Sequence, residues 1–140
     1  MPTKKDLKIA GVVTLYNPTD EDIKNIDTYL SDIDKLYIVD NTEGYDNKKR
    51  IPKSEKIEYI FKNENLGVAT AMNMGAKKAL KEGYKWLLTM DQDTTFKKGV
   101  IAKMKEVVLT KDMSKVGIVT PWHHTKLLDK KPETEYDDPH

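Results

Sequence analysis

The run IAGVVTLY, Ile9 to Tyr16, is almost continuously apolar and contains two adjacent valines. Unbroken apolar runs are typical of parallel strands that are buried on both faces of a sheet. The run ends at Asn17-Pro18, and proline cannot continue a central strand. We therefore predict a buried parallel strand here, in a sheet that helices cover on both faces.

Strand-like and helix-like segments alternate along the rest of the chain. Thr19 to Asp22 predicts a capped helix start, and the isoleucine and leucine positions up to Ile33 follow at helical spacing. Further strands are predicted at 36–39, 57–61, 84–90 and 116–119, and helices at 68–82 and 100–108. This order predicts an α/β fold with a mainly parallel, Rossmann-like sheet. In the 68–82 helix the predicted buried stripe is Ala69, Met72, Ala76, Ala79 and Leu80.

Composition excludes several classes of function. Among 140 residues, 24 Lys and Arg face 23 Asp and Glu, so the net charge of +1 gives no electrostatic reason to expect nucleic acid. The absence of cysteine excludes disulfides and thiolate metal sites. No apolar run is long enough to span a membrane, and MPTKKDLK lacks the apolar core of a signal peptide. A cytoplasmic protein is predicted, peripheral attachment to the inner membrane face stays open, and the oligomeric state is not predicted.

Three predicted strands end in polar or turn residues: Tyr16-Asn17-Pro18, Asp40-Asn41 and Asp91-Gln92-Asp93. Ligands of parallel sheets bind at the carboxyl ends of the strands, where the strand order switches. We expect these three ends to converge on a ligand site.

The last of these ends lies in WLLTMDQDTTF, Trp86 to Phe96. In an extended segment, residues two apart face the same way, so Asp91 and Asp93 would share one side. Mg²⁺ and Mn²⁺ bind one or two such carboxylates together with substrate phosphates. The structural alternative is a polar strand end whose acids cap the next helix.

The other two sets of candidates are less specific. The carboxylate of Asp40 could accept a hydrogen bond from the imide of uracil or thymine, or from a ribose hydroxyl, or it could be a turn residue. Gly67 stands where the chain enters a helix, whose N-terminus can receive an anion, while Gly75 is better explained by close packing. The pair His123-His124 is interpreted as exposed, because adjacent extended residues point to opposite faces.

The segments VVTLYNP, IVDNTE, NENLGVATAMNMG and WLLTMDQDTTF occur in an order that resembles the inverting glycosyltransferase family 2 over roughly residues 8 to 121. The likeness is greatest to its rhamnosyltransferase-like branch. The resemblance implies a GT-A nucleotide-sugar-binding domain at residues 1–126. Residues 127–140 are charged, contain two prolines and show no periodicity, so an irregular tail is predicted there. The resemblance also implies transfer of a sugar from a dTDP- or UDP-sugar to a glycan or lipid-linked glycan, with Mg²⁺ or Mn²⁺. The implied donor-binding residues are Thr14, Tyr16, Asn17, Asp40, Asn65, Gly67, Asn73 and Asp91, and the implied metal ligands are Asp93 and Asp91.

The resemblance stops short of a complete enzyme. The family places its general base after the Asp-x-Asp strand, and Asp137-Asp138 in the tail has no matching context, so the catalytic residue is unknown. We expect the donor-binding portion of a longer enzyme, which binds nucleotide and metal but transfers sugar poorly or not at all.

Two other classes remain open. WLLTMDQDTT also fits the pattern of haloacid-dehalogenase-type phosphatases, with Asp91 as nucleophile, Asp93 as acid/base and Thr120 as a second-motif hydroxyl. That family, however, carries the motif on its first core strand, whereas two βαβ-like units precede it here. The third class is a non-catalytic nucleotide-binding remnant.

Overall fold

The computed structural model describes residues 7–121. Its strands are β1 (Ile9–Leu15), β2 (Lys35–Asp40), β3 (Ile57–Phe61) and β4 (Trp86–Asp91). Its α-helices are α1 (Asp20–Asn25), α2 (Val68–Lys81) and α3 (Val100–Thr110), and short 3-10 helices lie at Ile26–Thr28, Leu30–Asp32 and Lys48–Arg50. The strands form one sheet in the order β3-β2-β1-β4, and every neighbouring pair is parallel.

Strand β1 lies in the interior of the sheet. All seven of its residues are buried, and it pairs with β2 on one side and β4 on the other. Thr14, near its carboxyl end, is opposite Val39 of β2 and Asp91 of β4. The predicted buried parallel strand is confirmed.

Each face of the sheet has its own apolar core. On one face, Val13 and Leu15 of β1 pack with Ile23 of α1 and Ile101 of α3. On the other face, residues of β1, β2 and β3 pack with α2; the buried members are Ala10, Val12, Tyr37, Val39, Ile60, Ala71 and Ala79. Helices therefore cover both faces, and the predicted α/β class is confirmed.

The buried stripe of α2 consists of Ala71, Gly75 and Ala79. A Cβ at Gly75 would lie 2.3 Å from Cγ2 of Val12, so the helix backbone rests directly on β1. The predicted stripe is wrong for Ala69 and for Leu80, which is 74% exposed. The close packing predicted for Gly75 is confirmed, whereas the predicted stripe lies about one residue along the helix from the buried one.

The helix after β1 is shorter than predicted. Thr19 and Asp22 form the predicted capping box, in which each backbone N–H donates to the other's side chain. The α-helix ends at Asn25; the buried Ile26 begins the first 3-10 helix, and the buried Ile33 follows the second in an extended conformation. The apolar spacing thus predicted the buried face correctly but not the helix type.

The strand predicted at 116–119 is wrong, since that segment is irregular and Ile118 is 85% exposed. A β-branched apolar run becomes a strand only when it pairs with a sheet edge, and this segment pairs with none of the described strands. The domain boundary predicted after residue 126, the tail at 127–140, His123-His124 and Asp137-Asp138 lie outside the described residues.

Replacement of Gly75 tests the contact between α2 and β1. Gly75→Ala should lower the free energy of unfolding by about 1–3 kcal/mol, because its methyl group overlaps Val12. Urea unfolding followed by circular dichroism measures the change. Gly117→Ala is the control, since nothing lies within 4 Å of a Cβ built there. Equal stability of the two variants would contradict the close packing.

Candidate functional site

A cleft of about 310 Å³ opens at the carboxyl ends of β1 and β4. The chain proceeds from β1 to β2 and β3 on one side and places β4 on the other, so the strand order reverses at this point. Open parallel sheets bind their ligands at such a reversal. The cleft is lined by Thr14, Tyr16, Asn41, Asn65, Gly67, Val68, Asp91 and Gln92.

Five of the residues predicted to bind a nucleotide sugar line this cleft: Thr14, Tyr16, Asn65, Gly67 and Asp91. Asn17, Asp40 and Asn73 do not line it. Asn73 is exposed on α2, and Asn17 is exposed in the loop after β1. The three polar strand ends therefore converge as predicted, although not every residue in them faces the cleft.

Sequence reasoning missed Asn41, Val68 and Gln92 as lining residues. Asn41 and Gln92 each follow a predicted aspartate, so the polar residues at the strand ends could have identified them as lining residues. Val68 is the first residue of α2 and is 58% exposed, which no pattern in the sequence indicated.

Asp40 is buried, and its carboxylate holds the loop after β2. Its Oδ1 accepts from the backbone N–H of Thr42 at 3.0 Å, and its Oδ2 accepts from Nδ2 of Asn47 at 2.9 Å and from the hydroxyl of Tyr59. Burial by itself raises the pKa of Asp40, but the hydrogen bonds from Tyr59, Asn47 and Thr42 outweigh it and hold the pKa below the usual 3.8. The predicted contact of Asp40 with base or ribose stays a prediction.

Asn41 joins the end of β2 to the start of α2. Its Nδ2 donates to the carbonyl oxygen of Gly67 at 3.1 Å, and its Oδ1 accepts from the backbone N–H of Leu66 at 3.4 Å. Gly67 caps α2 with a φ of 80°, in the left-handed region that glycine tolerates, and its N–H donates to Oδ1 of Asn65. Asn41 is only 2% exposed, and these two hydrogen bonds hold the start of the helix against the end of β2.

The segment after β4 differs from the predicted extended form. The strand ends at Asp91, and the N–H of Thr94 donates to the carbonyl oxygen of Asp91 at 3.0 Å to close a turn over Gln92 and Asp93. The hydroxyl of Thr94 accepts from the N–H of Asp91 at 3.1 Å. Local hydrogen bonds, rather than strand alternation, therefore set the directions of the two aspartates.

Both carboxylates of this turn are exposed, and neither has a hydrogen-bond or ion-pair partner within residues 7–121. Their oxygens are the hard ligands that Mg²⁺ and Mn²⁺ take, and such ions need only one or two protein carboxylates when phosphates supply the rest. The described residues contain no group of three or more His, Cys, Asp or Glu that could hold an ion alone. Asp91 and Asp93 thus fit a cation that is shared with a phosphate ligand.

The hydroxyl of Thr14 is a buried polar group without a partner in the described part of the cleft wall. Thr14 is 8% exposed, and its Oγ1 has no hydrogen-bond partner in the described part of the chain. Buried hydroxyls nearly always have a partner, so an unpaired one in the wall of a cleft suits a polar ligand.

Comparison with known proteins identifies the family. The model of glycosyl transferase family 2 matches residues 20–134, most of the chain. This chain belongs to glycosyl transferase family 2. The predicted family is confirmed, and a four-stranded parallel sheet with helices on both faces is consistent with the GT-A fold.

The chain is also similar to the dTDP-rhamnosyl transferase RfbF of Shigella flexneri, with 27% identity over 100 residues. The match covers 69% of this chain and 33% of that protein, so the chain spans about a third of the relative's length. The predicted likeness to rhamnosyltransferases is confirmed over these 100 residues.

Membership of glycosyl transferase family 2 argues against the phosphatase alternative. Thr120, which that alternative needs at the end of a strand, is exposed in an irregular segment. Among residues 7–121, no helix is both long and apolar enough to cross a membrane.

Removal of the Tyr59 hydroxyl tests the network around Asp40. Tyr59→Phe should lower the free energy of unfolding at pH 7 by about 1–3 kcal/mol, because a buried carboxylate loses a donor. The pKa of Asp40 is lower folded than unfolded, so its stabilisation is present above its usual pKa and disappears as the pH falls through the folded value. The variant should therefore lose less stability than the parent on acidification.

Urea unfolding from neutral pH into acid measures both effects. Tyr45→Phe is the control, because Tyr45 is 54% exposed and its hydroxyl contacts Asn17 rather than Asp40. Parallel pH curves for the parent and Tyr59→Phe would show that Tyr59 does not control the ionisation of Asp40.

Proposed function

We propose that this chain binds the nucleoside diphosphate of a dTDP- or UDP-sugar in the cleft between the ends of β1 and β4. The observation that carries the proposal is the position of this cleft at the reversal of strand order, with Asp91 in its wall and Asp93 in the adjoining turn. Family membership and the similarity to a dTDP-rhamnosyl transferase support the choice of ligand.

The base and ribose take the side of the cleft formed by Tyr16 and the start of α2. Tyr16 is 46% exposed and offers an aromatic face on which a base can stack. Thr14 and Asn65 supply further polar groups in the cleft lining. Asp40 supports this side through the loop after β2, and its direct contact with the base or ribose remains a prediction, as do contacts of Asn17 and Asn73.

The diphosphate takes the side formed by Asp91 and Asp93. Those two carboxylates would hold a divalent cation, which when bound neutralises charge on the departing diphosphate. The backbone of the turn that carries them is closed by two hydrogen bonds between Asp91 and Thr94. We propose that the acceptor hydroxyl of a glycan or lipid-linked glycan attacks the sugar from the side opposite the diphosphate, which inverts the anomeric centre.

A second candidate is nucleotide binding without transfer. It is favoured by the lining of the cleft, in which Asp91 is the one carboxylate among the described residues. We assign no general base among the described residues. The cytoplasmic location, attachment to the inner membrane face and the identity of the acceptor remain predictions.

Thermal unfolding with nucleotides tests the donor site. UDP or dTDP together with Mn²⁺ should raise the Tm of the chain by several degrees, because a ligand at about 100 times its Kd adds about 2.7 kcal/mol. GDP is the comparison nucleotide for base selectivity. In Asp93→Ala the shift should fall to that seen without Mn²⁺, since the cation loses a ligand.

Asp112→Ala is the matched control, because Asp112 is exposed and lies beyond α3. It should respond to nucleotide and Mn²⁺ like the parent. The proposal fails if no nucleotide shifts the Tm of the parent. Hydrolysis of a generic phosphomonoester that Asp91→Asn abolishes would then support the phosphatase instead.

A further inference from the structure

The side chain of Gln92 connects the ends of β1 and β4. Its Oε1 accepts from the backbone N–H of Tyr16 at 2.9 Å, and its Nε2 donates to the carbonyl oxygen of Tyr16 at 3.2 Å. A primary amide carries both an acceptor and donors, so one glutamine can satisfy both backbone groups of one residue. The last paired residues of the two strands are Thr14 and Asp91, and Gln92 continues the connection beyond them.

Gln92 stands between the two free carboxylates of the site. Its backbone lies in the turn after Asp91, and its carbonyl oxygen accepts from Nδ2 of the buried Asn25 at 3.2 Å. The turn is thus held to α1 through its backbone and to β1 through the Gln92 side chain. The carboxylates of Asp91 and Asp93 remain exposed on either side of this attachment.

We propose that Gln92 is a positioning residue that fixes the separation between the base side and the cation side of the donor cleft. It ties the strand end that bears Tyr16 to the turn that bears Asp91 and Asp93. A nucleotide whose base contacts Tyr16 then meets a cation site at a fixed separation from its phosphates. The inference rests on the proposed donor site and adds a coupling between its base side and its cation side.

The position of this link predicts an effect on binding rather than on folding. Tyr16 is 46% exposed and Gln92 is half-buried, so water can replace the two hydrogen bonds when the amide is removed. The relative placement of the two sides would then vary. Binding that needs both sides depends on this placement, because small displacements of positioned groups strongly weaken their joint action.

The test is the enhancement of nucleotide affinity by Mn²⁺, which is the ratio of the Kd for UDP or dTDP without Mn²⁺ to the Kd with it. Gln92→Met keeps the length of the side chain and removes both hydrogen bonds. Titration calorimetry should show this ratio reduced about 10-fold, within the usual size of coupling between two ligands. The Kd without Mn²⁺ should change less than the Kd with Mn²⁺, because only the second needs the base side and the cation side in their correct relative placement. The Tm of the ligand-free protein should stay close to that of the parent.

Gln92→Asn is the second variant, because its amide is one methylene too short to reach both groups of Tyr16, and it should reduce the ratio as well. Thr89→Val is the control on β4, since Thr89 is exposed and does not line the cleft. An unchanged ratio in Gln92→Met overturns the inference, and so does an equal loss of affinity with and without Mn²⁺, which would indicate a structural role alone. If the parent chain binds neither nucleotide, the proposed donor site fails and this inference fails with it.

Discussion

Parallel pairing of β1 with strands on both sides is the constraint from which the rest of the architecture follows. A strand hydrogen-bonded to β2 and β4, and packed against helices above and below, is buried along its whole length. The polar residues that line the cleft therefore lie at or beyond the strand ends. Because the strands are parallel, those ends lie at one edge, and that edge holds the cleft.

Polar side chains at this edge divide into those that hold the fold together and those that do not. Asp40, Asn41 and Asn47 are almost fully buried, and each is hydrogen-bonded to neighbouring loop or strand-end atoms. Buried polar groups persist only when they are paired in this way. The carboxylates of Asp91 and Asp93 are exposed, and the described residues give them no partner. Hydrogen bonds from Thr94 and Asn25 hold the backbone of the turn that carries them, and none of the described hydrogen bonds involves the carboxylates.

Much of this arrangement could be predicted from the sequence, for identifiable reasons. The unbroken apolar run of β1 indicated burial on both faces, and the capping box at Thr19 indicated where a helix begins. Polar residues after each strand indicated the ligand edge. What could not be predicted depends on contacts between distant segments. The stripe of α2 that rests on the sheet is chosen by the close approach at Gly75, and the segment at 116–119 lacks a described strand to pair with.

The sequence also does not show whether an aspartate side chain at a strand end points into the protein or towards solvent. The pattern Asp-Asn after β2 and the pattern Asp-Gln-Asp after β4 are chemically alike, yet the first carboxylate is buried and the other two are exposed. The difference arises because Tyr59, Asn47 and the N–H of Thr42 donate to Asp40 from the loop after β2 and from β3. No comparable set of donors faces the turn after β4 among the described residues. The aspartate at the end of β2 is therefore a buried structural residue, whereas the one at the end of β4 is exposed and unpaired among the described residues.

The amides of Asn41 and Gln92 explain how one edge of the sheet can both hold segments together and present exposed carboxylates. A carboxylate only accepts hydrogen bonds, whereas an amide donates and accepts at once. Asn41 and Gln92 each use both ends of the amide on backbone groups of another segment. They can thus stand in for a missing strand partner, which an ionised aspartate cannot do. With the amides connecting the segments, the carboxylates of Asp91 and Asp93 have no structural role among the described residues. The proposal that they hold a cation rests on this lack of a partner and on the hard oxygens of the carboxylates.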